Sequence, residues 1–165
     1  MVEAEHAGYR SGVSVGDLKH APTHQATVAD RIWNAWWRPN GASLNAVEVA
    51  LRDVLTANDF PSFTLVASED GRFLGTVTVI ESDIAARPGL GPCIAALWVE
   101  GPARGRGIAN MLVAAACRRL ADGGSERVYL AAKPFLRGYY AGRGWSLLES
   151  DVGDDGLDVF VRALP

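Results

Sequence analysis

The chain contains 165 residues, of which 48% are hydrophobic and 21% charged, with a formal net charge of −3. This length suits one domain over residues 1–165, and the ordinary composition argues against a disordered protein or one that coats nucleic acid or membranes. The N-terminal segment, in which residues 1–12 are expected to be frayed, lacks the apolar core of a signal peptide, and no apolar run is long enough to cross a membrane. The sequence therefore predicts a cytoplasmic protein.

Disulfides and metal sites have little support in this sequence. Cys93 and Cys117 lie in apolar segments, which predicts buried reduced thiols. The histidines are His6, His20 and His24; the last two have the spacing of a helical ligand pair, but a proline lies between them and no further Cys or His is near. No metal site is expected.

The N-terminal half predicts a strand, two helices and a hairpin. The segment "GVSVGDLK" is typical of a short strand. Apolar residues then recur at four-residue intervals from Val28 to Trp36, which predicts an amphipathic helix that ends at residues 39–41. A second helix is predicted over residues 43–58. Two runs rich in Val, Thr, Phe and Leu flank residues 69–71, "EDG", which predicts an antiparallel hairpin.

The C-terminal half predicts a parallel crossover followed by a second hairpin. "CIAALWVE" is apolar enough for a central strand, and a helix from Ile108 to Leu120, closed by two glycines, connects it to the strand "ERVYLAAK". This strand, helix, strand order predicts a right-handed parallel pair. A short helix ending at Gly144 and two terminal strands follow, so the predicted order is β, α, α, β, β, β, α, β, α, β, β.

The loop "ARGRG" between the central strand and its helix has the features of an anion-binding turn. The first N–H groups of a helix have no partners inside it, and the helix dipole adds partial positive charge there. Gly105 and Gly107 allow close approach of an oxygen to the backbone, and Arg104 and Arg106 add charged donors. The loop therefore predicts a pyrophosphate site, with a solvated glycine-rich turn as the alternative.

Two other phosphate motifs are excluded by spacing. A P-loop requires Lys and then Ser or Thr after its last glycine, but Ile108 follows Gly107. A dinucleotide fingerprint requires a third small residue where Asn110 stands. One "RGRG" in an acidic chain is also weak support for nucleic-acid binding.

Two spaced motifs carry a resemblance to a known family. Arg104, Gly107 and Ala109 match the pattern of Arg or Gln, two residues, Gly, one residue, then Gly or Ala, directly after "LWV". A pattern of Tyr, three residues, Gly and an aromatic residue is matched by Tyr140, Gly144 and Trp145. Over about residues 63–164 the chain resembles the GNAT superfamily of acetyl-CoA-dependent N-acetyltransferases. The resemblance implies an α/β (α+β) fold with a mixed, mostly antiparallel sheet of about seven strands, a central splayed parallel pair and about four flanking helices.

The resemblance also implies where acetyl-CoA, the co-substrate, binds. The pantetheine arm pairs with the central strand, the Val99 amide donates to the thioester carbonyl, and backbone N–H groups from Arg104 to Ala109 bind the pyrophosphate. Lys133 stands where many members carry an asparagine that contacts pantetheine. The implied cofactor-binding residues are Leu97, Trp98, Val99, Arg104, Gly105, Arg106, Gly107, Ile108, Ala109, Lys133, Phe135 and Tyr140.

The implied chemistry needs an acid and a base. Tyr140 is the predicted general acid for the departing thiolate, because a phenol with a pKa near ~10 is protonated at neutral pH. Glu100 is the predicted base, with Glu81 and Asp83 as alternatives, because adjacent strand ends can lie at one cleft.

The partners expected are acetyl-CoA and a primary amine of a small molecule or peptide, without nucleic acid or membrane, and a homodimer is left open. Small amines, aminoglycosides, polyamines and peptide N-termini all stay open as acceptors, and at least one of Trp33, Trp36 and Trp37 is expected to line a cleft. The alternative function is a catalytically silent acyl-CoA sensor or partner-binding module. A nucleic-acid-binding protein using Arg104, Arg106, Arg118 and Arg119 ranks third.

Overall fold

The computed structural model describes residues 12–165, so the predictions for His6 and for nearly all of the frayed segment lie outside the described residues. The strands are β1 (Val13–Asp17), β2 (Phe63–Glu69), β3 (Arg72–Ile80), β4 (Cys93–Val99), β5 (Arg127–Ala132), β6 (Ser146–Val152) and β7 (Leu157–Ala163). The helices are α1 (Gln25–Ile32), α2 (Leu44–Thr56), α3 (Ile108–Asp122) and α4 (Arg137–Ala141). The predicted order of elements is confirmed.

The seven strands form one mixed sheet in the order β1-β2-β3-β4-β5-β7-β6. Every neighbouring pair is antiparallel except β4 and β5, which are parallel. The β4–β5 ladder contains only the pair Cys93 and Tyr129, after which the two strands separate. The predicted fold, including its splayed central pair, is confirmed.

Hydrophobic cores cover both faces of the sheet. On one face, α3 packs through Ile108, Leu112 and Leu120 onto buried residues of both halves of the sheet, including Val77 and Phe160. On the other face, α1 and α2 pack against β2 and β4 in a second core. The apolar stripes that predicted these helices are therefore the surfaces that face the sheet.

The first helix differs from its predicted form at its C-terminal end. Regular α-helix stops at Ile32 and continues as a π-helical turn over Trp33–Trp37. In this wider turn, the Trp33 indole donates a hydrogen bond to the Ala42 carbonyl at 2.7 Å. Because a π turn inserts a residue into the helical repeat, the tryptophans point in directions that a 3.6-residue period does not predict.

Cys93 and Cys117 are free and buried, as predicted. Within residues 12–165, no helix is long and apolar enough to span a bilayer, and no three His, Cys, Asp or Glu side chains converge where they could hold a metal ion.

Candidate active site

The gap between β4 and β5 begins beside a bulge in β4. Thr78 of β3 pairs with Ala96 and Val79 pairs with Ile94, so Ala95 is an extra residue outside the β3–β4 ladder. A bulge bends its strand and increases the local twist, which turns the remainder of β4 away from β5. The central strand is therefore unpaired along one side over its last residues.

The unpaired side of β4 exposes backbone amides to the gap. The Glu100 N–H donates to the Leu74 carbonyl at 2.9 Å, so Glu100 faces β3. Backbone groups alternate in direction along an antiparallel strand, which turns the amides of Val99 and Leu97 away from β3 and toward the gap. These are the amides that the resemblance described above implies for the contacts with pantetheine and the thioester.

The loop after β4 forms a row of unpaired amides. Residues Gly101–Ala103 make a 3₁₀ turn in which the Arg104 N–H donates to the Gly101 carbonyl at 3.2 Å. The first helical hydrogen bond runs from the Met111 N–H to the Gly107 carbonyl. Between them, the amides of residues 105–110 have no acceptor in the described part of the chain. The predicted anion cradle thus begins one residue later than expected, because the Arg104 amide is already used.

Positive backbone angles shape this cradle. Gly105 and Gly107 have φ values of 76° and 81°, and Gly107 is the N-cap of α3, without a side-chain cap. Alternation of left- and right-handed residues turns successive N–H groups toward one point, which is the geometry of an anion-binding nest. Both glycines are therefore required by the backbone conformation.

The two arginines of the loop already have partners within the protein. Arg104 donates from Nε to the Val99 carbonyl at 3.0 Å and lies 5.0 Å from the ring of Trp98. Arg106 forms an ion pair with Glu69 at 3.1 Å. Their guanidinium groups hold the loop against β4 and β2, so the backbone amides carry the main capacity to bind an anion.

A cleft of about 300 Å³ opens between β4, α3 and α4. This α3–α4 cleft is lined by Leu97, Asn110, Val113, Ala114, Tyr139, Tyr140, Arg143, Trp145 and Arg162. It brings together Leu97 and Tyr140, which were predicted from motifs 43 residues apart in the chain. The sequence did not lead us to predict Asn110, Val113 and Ala114 as lining residues, although their spacing on α3 places them beside the cradle. Nothing in the sequence indicated that Arg162 would line the cleft.

Tyr140 is half-buried at the wall of the α3–α4 cleft. Its ring lies 5.3 Å from that of Phe160 and 6.1 Å from that of Trp145. Burial raises the pKa of the Tyr140 phenol, and neighbouring Tyr139 raises it further. The phenol is therefore protonated at neutral pH and can donate a proton into the cleft.

The expectation that the three candidate bases share one cleft is wrong. Glu81 follows the end of β3, where Ile80 pairs with Cys93, whereas Glu100 follows Val99 at the far end of β4. Because β3 and β4 are antiparallel, these carboxylates lie about 20 Å apart, the length of six strand residues. Asp83 lies beyond Glu81 at the same end of the sheet.

Glu100 is held in an ion pair with Arg31 of α1. Its Oε1 accepts from Arg31 Nε at 2.8 Å and Nη2 at 2.7 Å, and this hydrogen bond raises the pKa of Arg31. Because Glu100 Oε1 is already engaged by the guanidinium of Arg31, Glu100 is a weaker candidate for the general base.

Of the predicted cofactor-binding residues, Leu97 and Tyr140 line the α3–α4 cleft, whereas the side chains of Phe135, Lys133 and Trp98 lie away from it. Phe135 is 82% exposed and Lys133 is also exposed, and neither lines the cleft. The Trp98 side chain lies on the opposite face of the sheet, 6.5 Å from the ring of Trp36. Any contact of Trp98 with a ligand in the gap would have to come from its backbone.

A second cavity, of about 140 Å³, lies on that opposite face between α1, α2 and the sheet. We call it the helix-side cavity. Its walls include Ile32, Trp37, Val47, Leu51, Ala95 and Asp83. Trp37 thus fulfils the expectation that one of the three tryptophans lines a cleft.

The family is established by comparison with known sequences. A family model described as "Acetyltransferase (GNAT) family" matches residues 29–145, which is more than half of the chain. The chain belongs to the GNAT family of acetyltransferases. The resemblance to this family, which was inferred from the two motifs, is thereby confirmed. None of the curated proteins matches this GNAT chain in sequence.

Solved structures share the GNAT fold at low sequence identity. An aminoglycoside 6'-N-acetyltransferase complexed with coenzyme A matches with a TM-score of 0.72 and 12% identity, over 92% of this chain and 98% of that chain. For the aminoglycoside 6'-acetyltransferase type Ii the TM-score is 0.69 and the sequence identity 16%, over 93% of this chain and 97% of that chain. For an acyl-CoA N-acyltransferase from Pseudomonas aeruginosa the TM-score is 0.63 and the sequence identity 19%, over 92% of this chain and 98% of that chain. At these identities the likeness shows the fold alone.

Proposed function

We propose that this GNAT protein transfers an acetyl group from acetyl-CoA to a primary amine by direct attack in a ternary complex. The observation that carries the proposal is the α3–α4 cleft, where Tyr140 faces the unpaired side of β4. The amide cradle at residues 105–110 fits a pyrophosphate, and the amides of Leu97 and Val99 fit an extended pantetheine arm. Cys93 and Cys117 are free thiols, which is compatible with the reducing cytoplasm where we place the protein.

Acetyl-CoA supplies an activated acetyl thioester. The neutral amine nitrogen forms the new bond to the acetyl carbon, the carbon–sulfur bond breaks, and the sulfur leaves as thiolate. Val99 would donate its N–H to the thioester oxygen as negative charge develops there. Tyr140 would give its proton to the departing sulfur, and the proton lost by the nitrogen passes to a carboxylate or to water.

Three of the four arginines that first suggested a nucleic-acid partner are engaged within the protein. Arg104 and Arg106 are bound to the Val99 carbonyl and to Glu69. Arg119 forms an ion pair with Asp17 at 2.6 Å. Because these guanidinium groups already have partners, they do not form the free basic patch that phosphate backbones require.

The test is an amine panel with acetyl-CoA in which the release of CoA thiol is followed. We expect thiol release that depends on an amine, together with N-acetylated product detected by mass spectrometry. Saturable binding of acetyl-CoA without release for any amine would contradict acetyl transfer and favour the silent acyl-CoA sensor. Failure to bind acetyl-CoA at all would contradict both functions.

A further inference from the structure

Lys133 lies directly after β5, where the gap between β4 and β5 is open. Cys93 and Tyr129 form the single pairing of these parallel strands. Four residues later on each strand, Leu97 of β4 is about level with Lys133. A lysine side chain therefore begins across the gap from a residue whose amide faces it.

The Lys133 side chain leaves the sheet on the face that carries the helix-side cavity. Leu130 packs in the core beneath α3, whereas Tyr129 and Ala131 pack in a small core on the other face. The backbone of Lys133 is still extended, with φ of −62° and ψ of 144°, so the alternation along β5 groups its side chain with those of Tyr129 and Ala131. The Lys133 amine thus approaches the gap from the face opposite Tyr140.

The Lys133 ammonium group has no partner among residues 12–165. Lys133 is exposed and takes part in none of the ion pairs of this range. The carboxylate on the neighbouring strand, that of Asp158, lies level with Ala132 but is bonded to Arg137. Nothing in the described part of the chain therefore holds the Lys133 side chain away from the gap.

The length of a lysine side chain matches the dimensions of the gap. Neighbouring strands lie about 4.8 Å apart, so a ligand segment that fills the place of one strand between β4 and β5 lies about 5 Å from each. Five single bonds of about 1.5 Å join Cα to Nζ, which gives an extended reach of roughly 6 Å. The acetyl end of acetyl-CoA is the part farthest from the amide cradle at residues 105–110, and it therefore comes nearest to the level of Leu97 and Lys133.

We propose that Lys133 is a self-acetylation site, at which the chain transfers an acetyl group from its own bound acetyl-CoA to the Lys133 amine. This inference rests on the proposed function and adds a covalent modification at the same site. The neutral Nζ forms the bond to the acetyl carbon, the carbon–sulfur bond breaks, and the departing sulfur takes the proton of Tyr140. The proton lost by Nζ passes to water, because Lys133 is exposed. Acetylation leaves Lys133 without its positive charge.

The chain contains its own control, because its second lysine, Lys19, is also exposed. Lys19 follows β1 at the far edge of the sheet, three strand spacings or about 14 Å from β4. The test incubates the full chain with acetyl-CoA and no added amine, and digestion after arginine then places Lys19 in residues 11–31 and Lys133 in residues 128–137. By mass spectrometry we expect Lys133 to be acetylated at least about tenfold faster than Lys19, because a bound donor reacts at a high effective concentration.

Three comparisons separate self-acetylation from the general reactivity of an exposed amine. Acetyl phosphate, a donor without the CoA portion, should label Lys19 and Lys133 at similar rates. Excess CoA should suppress the labelling of Lys133 by acetyl-CoA but not by acetyl phosphate. The rate constant with saturating acetyl-CoA should be independent of protein concentration. Equal labelling of both lysines by acetyl-CoA, no suppression by CoA, or a rate constant that rises with protein concentration would overturn the proposal.

The amine panel distinguishes this inference from the proposed function. Acetylation of an added amine while Lys133 stays unmodified, with or without the amine, would overturn self-acetylation and leave the proposed function intact. Acetylation of Lys133 without acetylation of any added amine would support the modification site and contradict transfer to a small molecule or peptide. If acetyl-CoA does not raise the melting temperature and neither reaction occurs, both proposals are contradicted.

Discussion

Arg137 and Asp158 form a bidentate ion pair that joins α4 to β7. Arg137 Nε donates to Asp158 Oδ2 at 2.7 Å, and Nη2 donates to Oδ1 at 2.9 Å. The Asp158 carboxylate is fully buried, and Arg137 is the first residue of α4. Phe160, two residues after Asp158 on the same face of β7, contacts the ring of Tyr140. The short helix that carries Tyr140 is therefore attached to the sheet at two points.

The first prediction concerns the orientation of Tyr140. Arg137→Lys keeps the positive charge but loses the planar guanidinium group, which donates to both carboxylate oxygens. We expect kcat to fall by roughly 10- to 100-fold, because small displacements of a reacting group have large effects on rate, while the KM for acetyl-CoA stays nearly constant. The check is steady-state kinetics, with Arg52→Lys on the exposed face of α2 as a control away from the cleft.

A double variant separates positioning from general destabilisation. If Arg137 acts through Tyr140, Arg137→Lys should have little further effect on kcat once Tyr140→Phe is present. Additive losses in the double variant would contradict this role.

The second prediction concerns acid stability. Hydrogen bonds from Arg137 hold the pKa of Asp158 below its usual value in the folded protein. A depressed folded pKa contributes stability that is complete above the unfolded value of about 3.9 and is lost as the pH falls toward the folded pKa. The difference in melting temperature between wild type and Asp158→Asn should therefore be largest near neutral pH and should narrow below about pH 4. A difference that is independent of pH would contradict the ionised pair.

The third prediction concerns the general acid. Tyr140→Phe removes the phenolic proton but keeps the ring that packs against Phe160 and Trp145. We expect kcat to fall by about 100-fold or more, with acetyl-CoA affinity within about twofold of wild type. Tyr139→Phe is the matched control, since it removes the neighbouring hydroxyl. An unchanged rate in Tyr140→Phe would rule out this proton donor.

The fourth prediction concerns the anion cradle. Gly107 has a φ of 81°, so Gly107→Val forces a β-branched residue into left-handed backbone and disturbs the amides around it. We expect acetyl-CoA affinity to fall by at least about tenfold in a protein that is still folded. Gly124→Val is the control, because Gly124 has a φ of 92° just beyond the opposite end of α3. Equal losses of affinity in both variants would mean that backbone strain, rather than damage to the anion cradle, lowers the affinity for acetyl-CoA.

The elements near the α3–α4 cleft could be predicted because local patterns determine them. The apolar periodicity from Ile108 onward, the glycines before it and the spacing around Tyr140 are all short-range features. The interaction of Arg137 with Asp158 could not be predicted in the same way. Its two residues lie 21 positions apart, and a single Asp in an apolar strand does not reveal which cation accompanies it into the core.

The error about the candidate bases has a topological cause. Glu81 and Glu100 each follow a central strand, which suggested a shared edge. That argument holds for parallel neighbours, whereas β3 and β4 are antiparallel and carry their C-terminal ends to opposite edges of the sheet. The π-helical turn at Trp33–Trp37 was also missed, because its five residues continue the apolar pattern of an ordinary helix.

The single pairing between β4 and β5 has a mechanical consequence. The backbone hydrogen bonds of the sheet form two sets, β1 to β4 and β5 to β7, and the core beneath α3 joins them by side-chain packing. Hydrophobic contacts are not directional, so they do not impose the fixed spacing that a hydrogen-bonded ladder would. The width of the gap between β4 and β5 therefore depends on the volumes of buried residues such as Leu130 and Phe160. Core substitutions at these positions are therefore expected to change the spacing between β4 and β5.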